Sequence, residues 1–229
     1  MKTAIINQFR GIGDILFTVP IARKYISDGY KVLYPTIFPE IAKHFRDIFF
    51  IEKAFVNIDY ENKNVIKNNG ITVIPLRFAD SIMNTNYENC MSAKYRMLDI
   101  PLKLWRTLTW ERDIKAENRL FHDVLKLNES SNYNLVNNFF LSDFSMKTTI
   151  AVKNGMQNIE MKRIEGFTLL DWGMVIENAA TIHTVGTSLI YILEIMELKA
   201  KELHLYKREG FENTHGYYDY LLQKNYIFH

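Results

Sequence analysis

The sequence predicts an α/β protein made of two Rossmann-like halves, on three observations. Short apolar strands alternate with segments whose apolar residues recur at helical spacing. Two glycine turns, Gly11-Ile12-Gly13 and Gly186-Thr187-Ser188, each stand between a strand-like and a helix-like run. The polar run Asn128-Glu129-Ser130-Ser131-Asn132 divides the chain into residues 1–130 and 131–229, each large enough for its own core. Two such halves predict a ligand cleft between them.

Taken in order, residues 3–7 form a strand and residues 10–13 a glycine turn. A helix follows from about Asp14, its buried stripe being Ile15, Val19, Ala22 and Ile26. Pro20 cannot donate its backbone hydrogen bond, so a kink, or a helix restarting with Thr18 as cap, is expected there. Asp28-Gly29 ends the helix and residues 31–34 form the next strand, which together make a parallel pair with a crossover helix. The pattern predicts a helix over 40–50, a strand over 54–58 and a β-branched strand over 71–76. From 78 to 110 it is irregular, with a helix expected near 92–98, and 117–127 is helical.

In the second half, strands are expected over 133–139, 148–152 and 158–164. Thr168-Leu169-Leu170-Asp171 reads as a capping box with Asp in place of Glu, opening a helix to Asn178. A strand over 181–185, a helix to about 198 with Leu189, Ile192, Leu193 and Met196 buried, a strand over 202–206 and a helix over 216–224 complete the chain.

The 28 basic and 26 acidic side chains nearly cancel, which argues against a nucleic acid or an anionic membrane surface as the main partner. The single cysteine, Cys90, excludes an intrachain disulfide and a multi-cysteine zinc site. Met1 leads directly into the first strand without a charged leader, and no apolar run of about 18 residues is present, so a soluble cytoplasmic protein without a transmembrane segment is expected.

Glycines between a strand and a helix let the backbone turn tightly and approach a ligand, while free N–H groups face an anion or hydroxyl. As a dinucleotide loop, Gly11-Ile12-Gly13-Asp14-Ile15-Leu16 lacks the third glycine, and residues 31–36 end without the acid that would bind a ribose. The P-loop pattern fails because no G-K-[ST] follows. Asp14 has two readings. A carboxylate in the first turn of a helix offsets the helix dipole; a carboxylate at a strand's carboxyl end can also take a proton from a hydroxyl.

The run Arg10-Gly11-Ile12-Gly13-Asp14-Ile15-Leu16-Phe17-Thr18-Val19-Pro20, with its flanking strand, helix and strand, resembles the amino-terminal signature of the heptosyltransferase-like (family 9-like) GT-B glycosyltransferases over about residues 3–40. Those proteins carry a similar G-x-G-D with a proline six residues later. The resemblance implies a GT-B-like fold with an acceptor-binding domain at 1–130 and a nucleotide-sugar donor domain at 131–229. It also implies inverting, metal-independent transfer of a hexosyl, deoxyhexosyl or heptosyl group to a glycan hydroxyl. Asp14 would be the general base, and Arg10, Gly11 and Gly13 the acceptor loop. No cofactor is implied beyond the nucleotide-diphosphate sugar as co-substrate.

In the second half, Ile182-His183-Thr184-Val185-Gly186-Thr187-Ser188 repeats the strand, turn and helix start. Gly186, Thr187 and Ser188 can meet a diphosphate, and Thr187 or Ser188 can equally serve as a plain helix cap. The family's corresponding segment is commonly Asp-Thr-Gly followed by a histidine; here His183 lies upstream, so the turn and Thr187 carry over best. His183 can donate to a phosphate or be a packed, hydrogen-bonded strand residue. Asn138, with Asn137 beside it, and Arg163 and Glu165 stand where strands end, as donor contacts or as turn and ion-pair residues. Lys94, Tyr95, Arg96, Trp105, Arg106, Trp110 and Arg112 form an aromatic and basic group able to hold sugar faces or phosphates, or to be core and solvated surface. Asp59-Tyr60-Glu61 only weakly matches a metal-binding D-x-D, so no metal is expected. Two other readings stand beside the transferase: a non-catalytic sugar-nucleotide-binding module and, disfavoured by Leu16, a nucleotide-dependent oxidoreductase.

Overall fold

The computed structural model describes residues 2–85, 90–140, 146–209 and 221–229, and divides into two compact units, Met1–Glu111 and Arg112–His229. The division precedes the polar run at 128–132, because the helical segment just before that run packs into the second unit.

In the first unit, β1 (Lys2–Ile6) leads through Gly11 into α1 (Ile12–Ser27) and returns as β2 (Tyr30–Thr36). β3 (Phe49–Glu52), β4 (Ile66–Asn68) and β5 (Ile71–Ile74) complete a sheet of order β3-β2-β1-β5-β4, parallel except for edge strand β4. Two further helices follow, α2 (Ala79–Ile82) and α3 (Cys90–Arg96). Ile5, Val56 and Val73 make a buried cluster, with Leu33, Ile51, Ile58, Tyr60 and Ile66 packed against it. Elsewhere Phe17 of α1 meets the Tyr95 ring at 5.1 Å and the Trp105 ring at 5.7 Å. Tyr95 donates its buried hydroxyl to the Phe17 carbonyl, so α3 is held to α1 by both burial and a hydrogen bond.

α1 runs unbroken through Pro20, so the helix does not restart at Thr18. Thr18 is not a cap. Its hydroxyl donates back to the Asp14 carbonyl at 2.8 Å and shares a 2.6 Å bond with the Tyr34 hydroxyl, while Pro20 is buried among apolar neighbours. Burial there pushes the Tyr34 phenol well above its ordinary range.

Two other expectations in this unit are corrected. Residues 40–50 form a 3₁₀ turn (Pro39–His44) and then β3, because Phe50 pairs its ring with Tyr34 at 4.8 Å and His44 is tied to the Glu111 carbonyl. Residues 54–58 do not form a strand. The Tyr60 hydroxyl donates to the Lys53 and Val56 carbonyls and rolls the segment into a 3₁₀ turn.

The second unit opens with α4 (Ile114–Asn118), capped by the Asp113 side chain and continued by a π turn over Arg119–Val124. β6 (Tyr133–Asn137) is followed by the short antiparallel pair β7 (Phe139–Phe140) and β8 (Met146–Lys147), then β9 (Gln157–Glu160). The capping box at Thr168 forms as expected and feeds α5 (Gly173–Asn178). β10 (Thr181–Val185), α6 (Leu189–Ile195), β11 (Glu202–Tyr206) and β12 (Tyr226–Phe228) complete it. The sheet is parallel throughout, in the order β12-β11-β10-β6-β9.

The strand expected at 148–152 is absent, since Thr148 spends its hydroxyl on the Lys207 carbonyl and the Glu209 N–H instead. β12 was not expected. Most of the helix expected over 216–224 lies outside the described residues; residues 221–224 turn against Glu194, which accepts from the Gln223 and Lys224 amides.

α4 belongs to this unit through Glu117, which is wholly buried. Arg112 grips its carboxylate with two donors and also reaches Glu177 at 3.0 Å. These carboxylates push the Arg112 guanidinium still higher, and the two Glu117 oxygens occupy the space a side chain on Gly173 would need.

Candidate active site

Each sheet reverses its direction of growth once, and ligands of open α/β sheets bind beyond the strand ends at that point. In the first unit the chain builds β1, β2 and β3 outward, then crosses to place β5 on the other side of β1. The glycine loop leaves the carboxyl end of β1 there. Gly11 has φ 75° and ψ 101°, a conformation that disfavours any side chain.

Asp14 folds its carboxylate back over Gly11. Its Oδ2 sits well inside contact distance of where a Cβ on residue 11 would stand. Its Oδ1 lies 3.1 Å from Nζ of Lys94, and the Asp14 side chain is 36% exposed while that of Lys94 is 6% exposed. The ammonium also donates to Gln8 Oε1 at 2.8 Å and to the Leu76 carbonyl at 3.2 Å. Gln8 in turn donates from Nε2 to the Arg10 carbonyl at 2.9 Å, which braces the loop. The arrangement is a partly exposed carboxylate, held on one oxygen by a buried cation, at a strand's carboxyl end. Such a group can take a proton from a bound hydroxyl. Arg10 lies exposed with its guanidinium 5.3 Å from the Phe9 ring, whereas Gly13 lies inside the first turn of α1.

In the second unit the reversal falls between β6 and β10. Asn137, at the end of β6, donates to the hydroxyls of Thr184 and Thr187, both at 2.9 Å, tying the two strand ends together. Thr187 also accepts from the Leu189 amide, so Thr187, and not Ser188, supplies the turn's side-chain oxygen. Arg208 directs Nε and Nη2 onto the Gly186 carbonyl, which puts a guanidinium at the turn. The parallel register, Val185 opposite Tyr206, delivers Arg208 there two residues past the end of β11.

Other residues named from the sequence bond to partners outside this turn or stand exposed. Asn138 donates to Glu160 at 3.1 Å, and Arg163 and Glu165 are exposed in the loop after β9. His183 is within β10 and 5% exposed, one ring nitrogen bonded to Thr181 and the other to the Tyr206 hydroxyl, with its ring stacked on His204 at 4.2 Å. Burial, aided by the neighbouring His204 and His229, lowers its pKa to about 4. Asp59 accepts from the Glu61 amide in a local turn, and Glu61 pairs with Arg77 at 2.7 Å. Of the aromatic and basic group, Trp105 is core, Tyr95 is buried on Phe17, Arg112 holds Glu117, and Lys94 reaches the glycine loop.

The sequence singles out neither Gln8 nor Arg208, and it offers Asn137 only beside Asn138. Gln8 precedes the glycine motif by only three positions, but its role depends on Lys94, which is distant in sequence. Arg208 is placed by strand register alone.

No protein-family model matches the chain, and no curated protein matches it in sequence. Among solved structures, it is similar to the iron-containing dodecameric glycosyltransferase TibC of enterotoxigenic E. coli H10407, with a TM-score of 0.51 and 11% identity, over 90% of this chain and 59% of that one. It therefore spans a little under three fifths of that protein's length. A glycosyl transferase of family 9 from Veillonella parvula DSM 2008 aligns with a TM-score of 0.44 and 7% identity, over 90% of this chain and 81% of that one. The likeness to TibC is one of fold: a mixed α/β protein with parallel sheets. No helix among the described residues is long and apolar enough to cross a membrane.

Proposed function

We propose that this protein is an inverting glycosyltransferase that moves a sugar from a nucleotide-diphosphate sugar to a hydroxyl of a glycan acceptor, in the two-domain GT-B manner. The observation that carries the reading is the Asp14 carboxylate, partly exposed at the carboxyl end of β1 and oriented by Lys94. The fold shared with a glycosyltransferase and the resemblance of residues 10–20 to the heptosyltransferase-like signature support it.

In this reading the first unit takes the acceptor. Asp14 accepts the proton of the attacking hydroxyl as its oxygen bonds to the anomeric carbon, and the bond from that carbon to the diphosphate oxygen breaks on the opposite face. The second unit takes the donor at the β6–β10 turn. There the Gly186 and Thr187 backbone, the Thr187 hydroxyl and Arg208 face the diphosphate and offset its charge as it leaves, without a metal. Asn137 holds that turn in shape.

The test begins with thermal shift against UDP-, GDP-, ADP- and dTDP-sugars, since a donor that binds the folded protein raises its Tm. With the stabilising donor and a glycan acceptor panel, Asp14→Asn lowers turnover about 10²–10⁴-fold. Unchanged turnover in folded Asp14→Asn removes Asp14 as the base. Donor binding with no transfer by the unmodified protein on any acceptor favours the non-catalytic binding module.

A further inference from the structure

We propose that Lys94 is the positioning residue of the site, committing one oxygen of Asp14 so that the other is the oxygen that takes the proton. This rests on the reading of Asp14 as base.

An ammonium has three hydrogens, and the three acceptors around Lys94 each belong to a different part of the site. Gln8 Oε1 leads into the glycine loop, the Leu76 carbonyl follows β5, and Asp14 Oδ1 lies in the first turn of α1. A buried cation is costly unless it is paired, and Asp14 is the carboxylate within bridging distance of Lys94 among the described residues. The pair is therefore unlike a surface ion pair. Lys94 loses its side-chain freedom inside the protein, whereas Asp14 keeps one side open to solvent.

The consequence is directional. With Oδ1 held by Nζ, the side chain lies over Gly11 and Oδ2 comes to rest where residue 11 lacks a Cβ. A carboxylate hanging free in the first turn of α1 would sample several rotamers, and displacement of a catalytic group by about 1 Å can cost about 100-fold in rate. Lys94 touches no reacting atom in this scheme and acts through the aim of Asp14. It also braces the loop from the opposite side through Gln8, whose Nε2 holds the Arg10 carbonyl.

The test is Lys94→Met, which keeps most of the apolar stem and removes the charge, with Lys94→Gln as the second variant should the first fail to fold. A crystal structure of the variant is expected to show the Asp14 carboxylate turned away from Gly11; an unchanged Asp14 rotamer overturns the proposal whatever the reaction proves to be. With the nucleotide sugar that stabilises the unmodified protein, kcat is expected to fall about 10–100-fold while the donor KM stays within about twofold. In an Asp14→Asn background the same substitution costs no further activity, because there is no base left to aim. A further loss in that background of the same size as in the wild-type background assigns Lys94 a general structural role and overturns the proposal. If Asp14→Asn by itself leaves turnover intact, it is the base reading that fails, and the crystal structure alone decides what Lys94 does to Asp14.

Discussion

Replacing Gly11 by alanine separates the two demands that the glycine loop makes on this position. The first is conformational. At φ 75° and ψ 101° a residue with a Cβ is strained by about 1–3 kcal/mol, which for a unit of this size corresponds to a Tm lowered by about 4–13 °C. The second is spatial. The new methyl would fall inside contact distance of Asp14 Oδ2 and 3.3 Å from its Cγ, and the three nearest atoms all belong to the Asp14 side chain. The carboxylate is the part free to move, so it swings off Gly11 and the fold survives. Gly11→Ala thus gives a folded, mildly destabilised protein whose transfer rate falls about 10²–10⁴-fold, the range of a lost general base.

Gly29→Ala is the control, because Gly29 also has a positive φ, 83°, but nothing lies within 4 Å of its added Cβ. It carries comparable strain without the clash. Differential scanning fluorimetry beside a nucleotide-release assay should show both variants melting earlier and only Gly11→Ala inactive. Equal activity in the two variants would refute the claim that Asp14 needs the space above Gly11.

Two further predictions concern the second unit. Glu117→Ala strips Arg112 of its buried partner but leaves it Glu177 and some solvent, so a loss of about 2–4 kcal/mol is expected in urea unfolding, and a loss below about 1 kcal/mol would contradict the packing account. His183 has its pKa lowered to about 4 in the fold, so the unfolded chain binds the proton first as pH falls below the ordinary histidine range. Its contribution is complete above about pH 6.5 and is lost towards pH 4, on the order of 3 kcal/mol in all. His183→Gln should flatten that part of the stability curve, and an unchanged slope would show that other groups carry it.

Much of the architecture follows from local pattern. The β1-turn-α1-β2 unit is legible because Gly11, the apolar spacing of Ile15, Val19 and Ala22, and the Asp28-Gly29 stop all agree within one short segment. The Thr168–Asp171 box and the β10-turn-α6 segment are legible for the same reason: capping and periodicity are interactions between near neighbours. Expectations failed where a side chain's hydrogen bonds overrode the local strand pattern. The Tyr60 hydroxyl rolls up residues 53–56, and Thr148 is claimed by residues 207 and 209.

The candidate site divides along the same line. Sequence alone placed Asp14 after a glycine turn at the end of a strand, where a carboxylate serves either a helix dipole or a proton transfer. It also put Lys94 in an aromatic and basic group that could hold sugar faces or phosphates, or be core and solvated surface. Only the tertiary structure brought Nζ of Lys94 to Asp14 and Gln8, and the guanidinium of Arg208 to Gly186. Local spacing governs which residues share a turn. The meeting of α3 with the glycine loop, and of β11 with the end of β10, depends on strand order, register and burial of α3 against α1, which are set by the packing of the whole unit.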